Sequence, residues 1–389
     1  MRVAMIGLRG LPATYGGVEK HVEELGSRLA ARGHEVTIYC RSAYSTAGVD
    51  VPPEAAYLPP MDGALGHYRG MILRNLPTPG GKHLESAVHS ALSATHTTWS
   101  RAYDIVHFHA MGPGLFSPIP RYLSDAHVVQ TIHALDDERA KWSVAAQTTL
   151  RLGRALSTTV PHEVIVVSRE IARVYRERHH REATYIPNGA PRVTPEPPGR
   201  TLARLGLTPG DYVVFLGRLV PEKQPDLLVR AFAGIPGDTR LVVVGGSSNT
   251  DAFTRAVRRL ARRDPRVVLP GYLFGRDLAE LMTSAAVFVQ PSTLEGMPIT
   301  ILEAAAYGRP VVASDIPPHL EILRVSGPGH RIFRRDSASA LTDAIIAELG
   351  DPAAGRRGAA ALRTDVLARY DWDAVTDEVL SVYAATLAR

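Results

Sequence analysis

The sequence predicts an α/β protein made of two doubly wound halves that face a central cleft. Three observations predict it. Short β-branched runs alternate with longer helical patterns along almost all 389 residues, which implies parallel strands joined by right-handed crossovers. The runs are continuously apolar rather than alternating, as strands covered on both faces are. The chain is also longer than one hydrophobic core usually supports, and a proline- and glycine-rich break divides it.

In order along the chain, the strands are expected at Arg2–Gly7, Glu35–Cys40, Asp104–His109, His127–His133, Glu163–Ser168 and Ala183–Asn188, with helices such as Gly17–Arg32 and Ser168–Arg178 between them. Pro187-Asn188-Gly189-Ala190-Pro191 opens a stretch to about Gly199 that sustains neither helix nor ladder, so 187–199 reads as a linker. The pattern then restarts with strands at Tyr212–Gly217, Leu241–Gly245, Val267–Leu269, Ala286–Gln290 and Pro310–Ser314. An amphipathic helix, Trp372 to Leu387, ends the chain. The domains are therefore 1–190 and 200–371. Ligands of open α/β sheets bind beyond the carboxyl ends of the strands, so residues just past strand ends are the site candidates.

With 45% hydrophobic and 21% charged residues the composition is that of an ordinary globular protein. A single cysteine, Cys40, excludes an internal disulfide framework and a multi-cysteine zinc site and fits a reducing compartment. The apolar runs fall far short of the roughly 20 residues of a spanning helix. The opening Met1–Gly7 reads as a buried strand rather than a signal peptide. A cytoplasmic protein is expected. The net charge of +5 favours anionic partners, and a phosphate-bearing substrate or peripheral contact with an anionic membrane, at its inner face, would each account for it. Nucleic acid is not expected, because the basic residues are dispersed and no binding module is present. Oligomeric state is not specified.

The most informative segment runs from Ser292 to Ala304 and includes Glu295, Gly296, Met297, Pro298 and Glu303. It follows a strand, and Pro298 suits the first helical position because it lacks an N–H that would be orphaned there. Thr300, Glu303 and Tyr307 share one stripe of an otherwise apolar helix. The helix N-terminus, with its free N–H groups and positive dipole end, suits a diphosphate or sugar hydroxyls. Two carboxylates bracketing a helix start can grip a polyol; from spacing alone, a solvated Glu and an Arg-paired Glu explain them equally.

Gly217-Arg218-Leu219-Val220-Pro221-Glu222-Lys223 ends another strand. Cations fixed there can neutralise a departing diphosphate, Arg218 as a two-pronged fork and Lys223 as a point charge; from these residues alone, solvated surface cations are the better explanation. Gly16 and Gly17 precede the first helix and let an anion approach the backbone, although their spacing is not that of a dinucleotide fingerprint. His109 sits at a strand tip, His107 deeper on the same face as a core histidine, and His133 at the next strand tip. Asp371-Trp372-Asp373 spells a metal-binding Asp-x-Asp, but it starts the last helix, where Asp is a good cap. Asp136-Asp137 does not make a convincing metal site.

These segments resemble the signatures of the retaining family 4 glycosyltransferases of the GT-B fold, whose two domains are Rossmann-like. The Glu295–Glu303 segment resembles the family's Glu–seven residues–Glu motif, which implies that Glu295 holds donor-sugar hydroxyls, that Glu303 binds the ribose, and that the amides of Gly296, Met297 and Pro298 contact sugar and phosphate. Arg218 and Lys223 look like its diphosphate-binding pair, Gly16 and Gly17 its first glycine-rich loop, and His109 the histidine near the donor sugar. Gly7 to Glu19 and Lys82-His83-Leu84-Glu85 look like a bacterial polysaccharide or secondary-metabolite branch.

The resemblance covers nearly the whole chain and implies that the terminal helix 372–389 packs back on the first domain. It implies donor binding by the second domain, acceptor binding by the first, no metal and no cofactor, with uracil as the expected base. On the acceptor side the candidates are His133, Asp136, Lys82 and Asn188. Arg69 and Arg74, with Lys82, either line that site or belong to a solvated loop. A nucleotide-sugar epimerase or sugar phosphorylase, and a non-catalytic partner subunit, are the alternatives.

Overall fold

The computed structural model describes residues 1–13, 16–41, 65–78, 85–135, 144–247 and 250–389. The chain forms two compact units. One holds the described residues up to Asn188 together with Trp372–Arg389, and the other holds the described residues of Gly189–Asp371.

The first unit is built on a sheet of β1 (Arg2–Ile6), β2 (Glu35–Arg41), β3 (Leu65–Tyr68), β4 (Met71–Leu76), β5 (Ile105–His109), β6 (His127–Ile132), β7 (Glu163–Val166) and β8 (Thr184–Tyr185). Its spatial order is β3-β4-β2-β1-β5-β6-β7-β8. Every pairing is parallel except β3 with β4. The strand order reverses between β1 and β5. Strands β1, β2, β5, β6 and β7 are buried along nearly their whole length, as the continuous apolar runs require, whereas β4 is only partly buried.

The sequence reading missed three elements here and overextended one. The β3–β4 hairpin turns through Arg69 (φ 48) and Gly70 (φ 79), both in the left-handed region. Arg69 carries no conventional turn signal, so the hairpin was invisible. The helix Glu85–Ser100 is rich in Ser, Thr and His and lacks a strong apolar stripe. The expected strand over Ala183–Asn188 narrows to the two residues of β8 at the sheet edge.

The terminal helix, Trp372–Leu387, packs against the first helix, Gly17–Ala31. Trp372, Val375, Val379 and Tyr383 are buried in one core with Val22, Leu25 and Leu29. Burial of side chains this size stabilises by ~1.5–3 kcal/mol each. Asp373 pairs with Arg28 at 3.2 Å and Arg32 at 3.8 Å, so this carboxylate faces cations of the first helix.

The second unit is built on β9 (Tyr212–Leu216), β10 (Arg240–Val244), β11 (Val267–Gly271), β12 (Val287–Gln290), β13 (Val311–Ser314) and β14 (His330–Phe333). All pairs are parallel, in the order β11-β10-β9-β12-β13-β14. The order reverses between β9 and β12. Strand β14 escaped the sequence reading because His330-Arg331-Ile332-Phe333 is short, charged and on an edge. Among the described residues, no helix is long and apolar enough to cross a membrane.

Candidate active site

In each unit the crevice at the reversal point lies beyond the carboxyl ends of two neighbouring parallel strands, where such sheets bind ligands. In the second unit those strands are β9 and β12. Gly217 continues β9 by donating to Val244 O at 3.0 Å, and Leu219 donates to Gly246 O at 2.8 Å. Gly245 has φ +134, and a Cβ there would stand 1.9 Å from the Gly217 carbonyl oxygen. Only glycine permits this approach of the two loops. Arg218 follows at once. A 3₁₀ turn, Pro221–Lys223, brings the Lys223 side chain back across Gly217, whose missing Cβ would lie 3.0 Å from Lys223 Cδ.

The loop after β12 meets this turn. Thr293 N donates to Glu222 O at 2.8 Å. Glu295 Oε1 accepts from Lys223 Nζ at 2.6 Å, Ser292 Oγ at 2.8 Å and Gln290 Nε2 at 3.0 Å. Burial alone would raise the pKa of this carboxyl. The charge of Lys223 and the hydrogen bonds from Lys223 and Ser292 outweigh burial and hold it down at about 2. Glu295 is thus an oriented anion. Gln290 is itself fixed, with Oε1 accepting from Thr300 Oγ1 at 3.0 Å. Ser314 Oγ donates to Ser292 O, and His319 Nδ1 lies 3.0 Å from both Ser314 Oγ and O. The sequence reading missed Gln290, Ser292, Ser314 and His319. Polar residues at the ends of two strands, in the loop after β12 and on the helix Pro317–Leu323 were the available signal.

Gly296, Met297 and Pro298 are buried between Glu295 and the helix Ile299–Ala306. Pro298 is not the first helical residue, as expected, but the cap before it. Its ψ of 103° is extended, and its carbonyl accepts from Ile301 N at 3.1 Å. The helix therefore starts one residue later, still with free N–H groups in its first turn. Ile301, Leu302, Ala304, Ala305 and Ala306 are buried, whereas Thr300, Glu303 and Tyr307 are half-buried along one side. Burial, then the Glu303 charge, raises the Tyr307 hydroxyl to about 12.

In the first unit the reversal lies between β1 and β5. Gly7 has φ +121, and a Cβ there would lie 2.3 Å from the His109 carbonyl oxygen. The strand tips therefore close tightly. His109 is fully buried, with Nδ1 3.2 Å from His133 Nε2. His21, on the first helix, lies with its ring 4.7 Å from that of His133 and holds Asn188 Oδ1 at 2.9 Å through Nδ1. His107 has both nitrogens engaged, Nδ1 with Tyr383 Oη at 2.6 Å and Nε2 with Thr131 Oγ1 at 2.7 Å. Burial first, then neighbouring imidazoles, hold His109 and His133 far below the usual histidine range, so both are neutral at pH 7. His109, His133 and Asn188 thus come together around His21, which the sequence reading passed over as a helix residue.

Gly16 and Gly17 stand at the start of the first helix. Glu19 fills the space that a Gly16 Cβ would occupy, its Oε2 lying 2.1 Å from that position. Its Oε1 accepts from Arg9 N at 3.2 Å, and Glu23 accepts from Ala13 N at 2.7 Å. Gly16 thus has a structural reason to be glycine, whatever the loop binds. Arg69 pairs with Glu23 at 3.0 Å and Glu24 at 3.4 Å, and Arg74 contacts His96 at 3.2 Å. Lys82 and Asp136 lie outside the described residues.

Residues 15–192 match the family model described as Glycosyltransferase Family 4, and residues 210–351 that described as Glycosyl transferases group 1. Over its whole length the chain is 30% identical to the alpha-maltose-1-phosphate synthase of Mycobacterium tuberculosis, covering all of both proteins. It is 28% identical to the D-inositol 3-phosphate glycosyltransferase of Xylanimonas cellulosilytica, covering 100% of this chain and 97% of that one. The solved structure of sucrose-phosphate synthase from Thermosynechococcus elongatus superposes with a TM-score of 0.82 at 25% identity, over 100% of this chain and 99% of that one.

Proposed function

The chain belongs to the GT-B glycosyltransferases, with family 4 and group 1 domains, and from this premise we propose that it is a retaining, metal-independent enzyme with a UDP-linked sugar, such as UDP-GlcNAc or a UDP-hexose, as donor. It transfers a sugar from a nucleotide sugar to a hydroxyl. The observation that carries the reading is the ion pair of Lys223 with Glu295 at the β9/β12 reversal point.

An ammonium has three N–H donors, and Glu295 takes one of Lys223's. The others serve diphosphate oxygens, and Arg218 offers its fork to the same group. As the glycosidic bond to the diphosphate breaks, negative charge grows on the leaving oxygen, and fixed cations there lower the barrier. This is the work a divalent ion does elsewhere, so transfer proceeds in chelator. Glu295, ionised and held by three donors, receives donor-sugar hydroxyls. Glu303 receives the ribose. His109, neutral, orients the sugar. The acceptor attacks from the face the leaving group departs, without a covalent enzyme intermediate. The acceptor is a glycan, a lipid-linked sugar or a small molecule. Phosphorylated sugars and polyols come first among small molecules to test, because the names of the three relatives each contain one.

The test is a thermal-shift panel of UDP-, GDP-, ADP- and dTDP-sugars in EDTA, on the native chain and on Glu303→Ala. A donor at about 100 times its Kd stabilises by ~2.7 kcal/mol, so UDP-sugars should raise the midpoint and Glu303→Ala should erase the rise. Absence of a shift with every donor, the protein being folded, would refute the reading. The anomeric configuration of the product, read by NMR, decides retention.

A further inference from the structure

We infer that His21, His109 and His133 form a binding site for one divalent transition ion, zinc being the best suited. One ring nitrogen from each lies within 4.8 Å of the others. His109 Nδ1 and His133 Nε2 are 3.2 Å apart. Two imidazole nitrogens bound to one tetrahedral zinc, at ~2.0–2.1 Å from the metal, are separated by about 3.3–3.4 Å. That pair already has the spacing of two ligands, and the His21 nitrogen, within 4.8 Å, closes in to complete the set.

The hydrogen bonds explain which atoms are available. Asn188 Oδ1 accepts from His21 Nδ1 at 2.9 Å, so the ring proton is on Nδ1 and the lone pair on Nε2. His21 Nε2 and His109 Nε2 are buried with no hydrogen-bond partner. Leaving buried polar nitrogens unpaired is costly, and an ion would relieve this at His21. The Asn188 contact is the outer-shell support that ligating histidines usually have. His107, whose nitrogens are both engaged, is excluded as a ligand. The three ligands come from the first helix, the end of β5 and the residue after β6, all in one unit. Three histidines leave a fourth position for water.

An ion held here occupies His109. If His109 orients the donor sugar as proposed above, zinc inhibits transfer and a chelator restores it. The site itself does not depend on that role.

The experiment uses the full chain, free of any histidine tag and stripped with chelator. Calorimetry with zinc should give one ion per chain, and cobalt should give the visible absorption bands of a low-coordinate site. His21→Ala and His133→Ala should each lower zinc affinity at least about tenfold, and Asn188→Ala about tenfold. No cobalt bands on the native chain would overturn the site without recourse to any variant. Unchanged affinity in both histidine variants, folded by circular dichroism, would do the same. Binding without inhibition would uphold the site and refute the role given to His109, whereas the donor thermal shifts test the transferase reading separately.

Discussion

Lys223 Nζ donates to Glu295 Oε1 at 2.6 Å, joining the turn after β9 to the loop after β12 at the point where the strand order of the second sheet reverses. Both side chains are nearly buried. The contact spans 72 residues of sequence, so the pair that ties the two loops together is also the pair proposed to meet the donor.

Removing one member of a nearly buried pair leaves the other unpaired, at ~3–5 kcal/mol. Lys223→Ala should therefore lower the urea midpoint and also abolish the donor-induced thermal shift. Lys223→Arg, which keeps the charge, should recover most of the stability. If Lys223→Ala were as stable as the native chain, the pair would be merely superficial.

The same pair sets an acid limit. Glu295 titrates at about 2 in the folded chain against an ordinary value of 4.5. A depressed carboxylate contributes stability above its unfolded value and loses it as pH falls through the folded one. The contribution, on the order of 3 kcal/mol, should be complete above pH 4.5 and fade toward pH 2. Glu295→Gln should be less stable near pH 7 and approach the native curve as pH falls. Denaturation midpoints across that range measure it, and parallel curves would contradict it.

Gly7 and Gly16 make a contrasting pair. At Gly7 the backbone is left-handed and the obstacle is the His109 carbonyl, which cannot move without moving β5. At Gly16 the φ is −156° and the obstacle is the end of the flexible Glu19 side chain. Gly7→Ala should cost about 3 kcal/mol or more, and Gly16→Ala about 1 kcal/mol or less. Chemical denaturation of both variants checks the ordering. Equal losses would mean that the loop before the first helix is as constrained as the strand tips.

Much of this architecture was legible because buried parallel strands announce themselves as apolar runs. Those runs located β1, β2, β5–β7 and β9–β13, and the segment after β12 carried Glu295 and Glu303. What stayed hidden depended on partners distant in sequence. Arg69 turns a hairpin held by Glu23, β14 is charged and exploits only an edge, and His21 reaches His133 from another element. Ser292, Gln290 and His319 carry no motif, since their role is to hold Glu295 and its neighbours in place. Pro298 misled by one residue because proline is compatible with both a cap and a first turn.

His109 is the sharpest test of the proposed chemistry. It is neutral, buried and fixed by His133, so its replacement should disturb orientation more than affinity. Losing one group oriented on the reacting centre costs on the order of 10²-fold in rate. His109→Ala should lower kcat by that order while retaining the donor thermal shift. Loss of the shift with kcat intact would assign His109 to binding instead.

His89 supplies a second test of how burial controls titration. It is fully buried in the helix Glu85–Ser100, and burial first, then the Arg41 charge, lowers it to about 4 from 6.5. A depressed imidazole favours the folded state fully above pH 6.5, where both states are neutral. Between pH 6.5 and 4 the unfolded chain binds the extra proton, so stability falls as pH falls. The contribution is on the order of 3 kcal/mol. His89→Leu removes this proton uptake, so its stability should decline less steeply across that window. Denaturation at a series of pH values measures both slopes; identical slopes would mean that His89 gains a compensating partner or access to water before the chain unfolds.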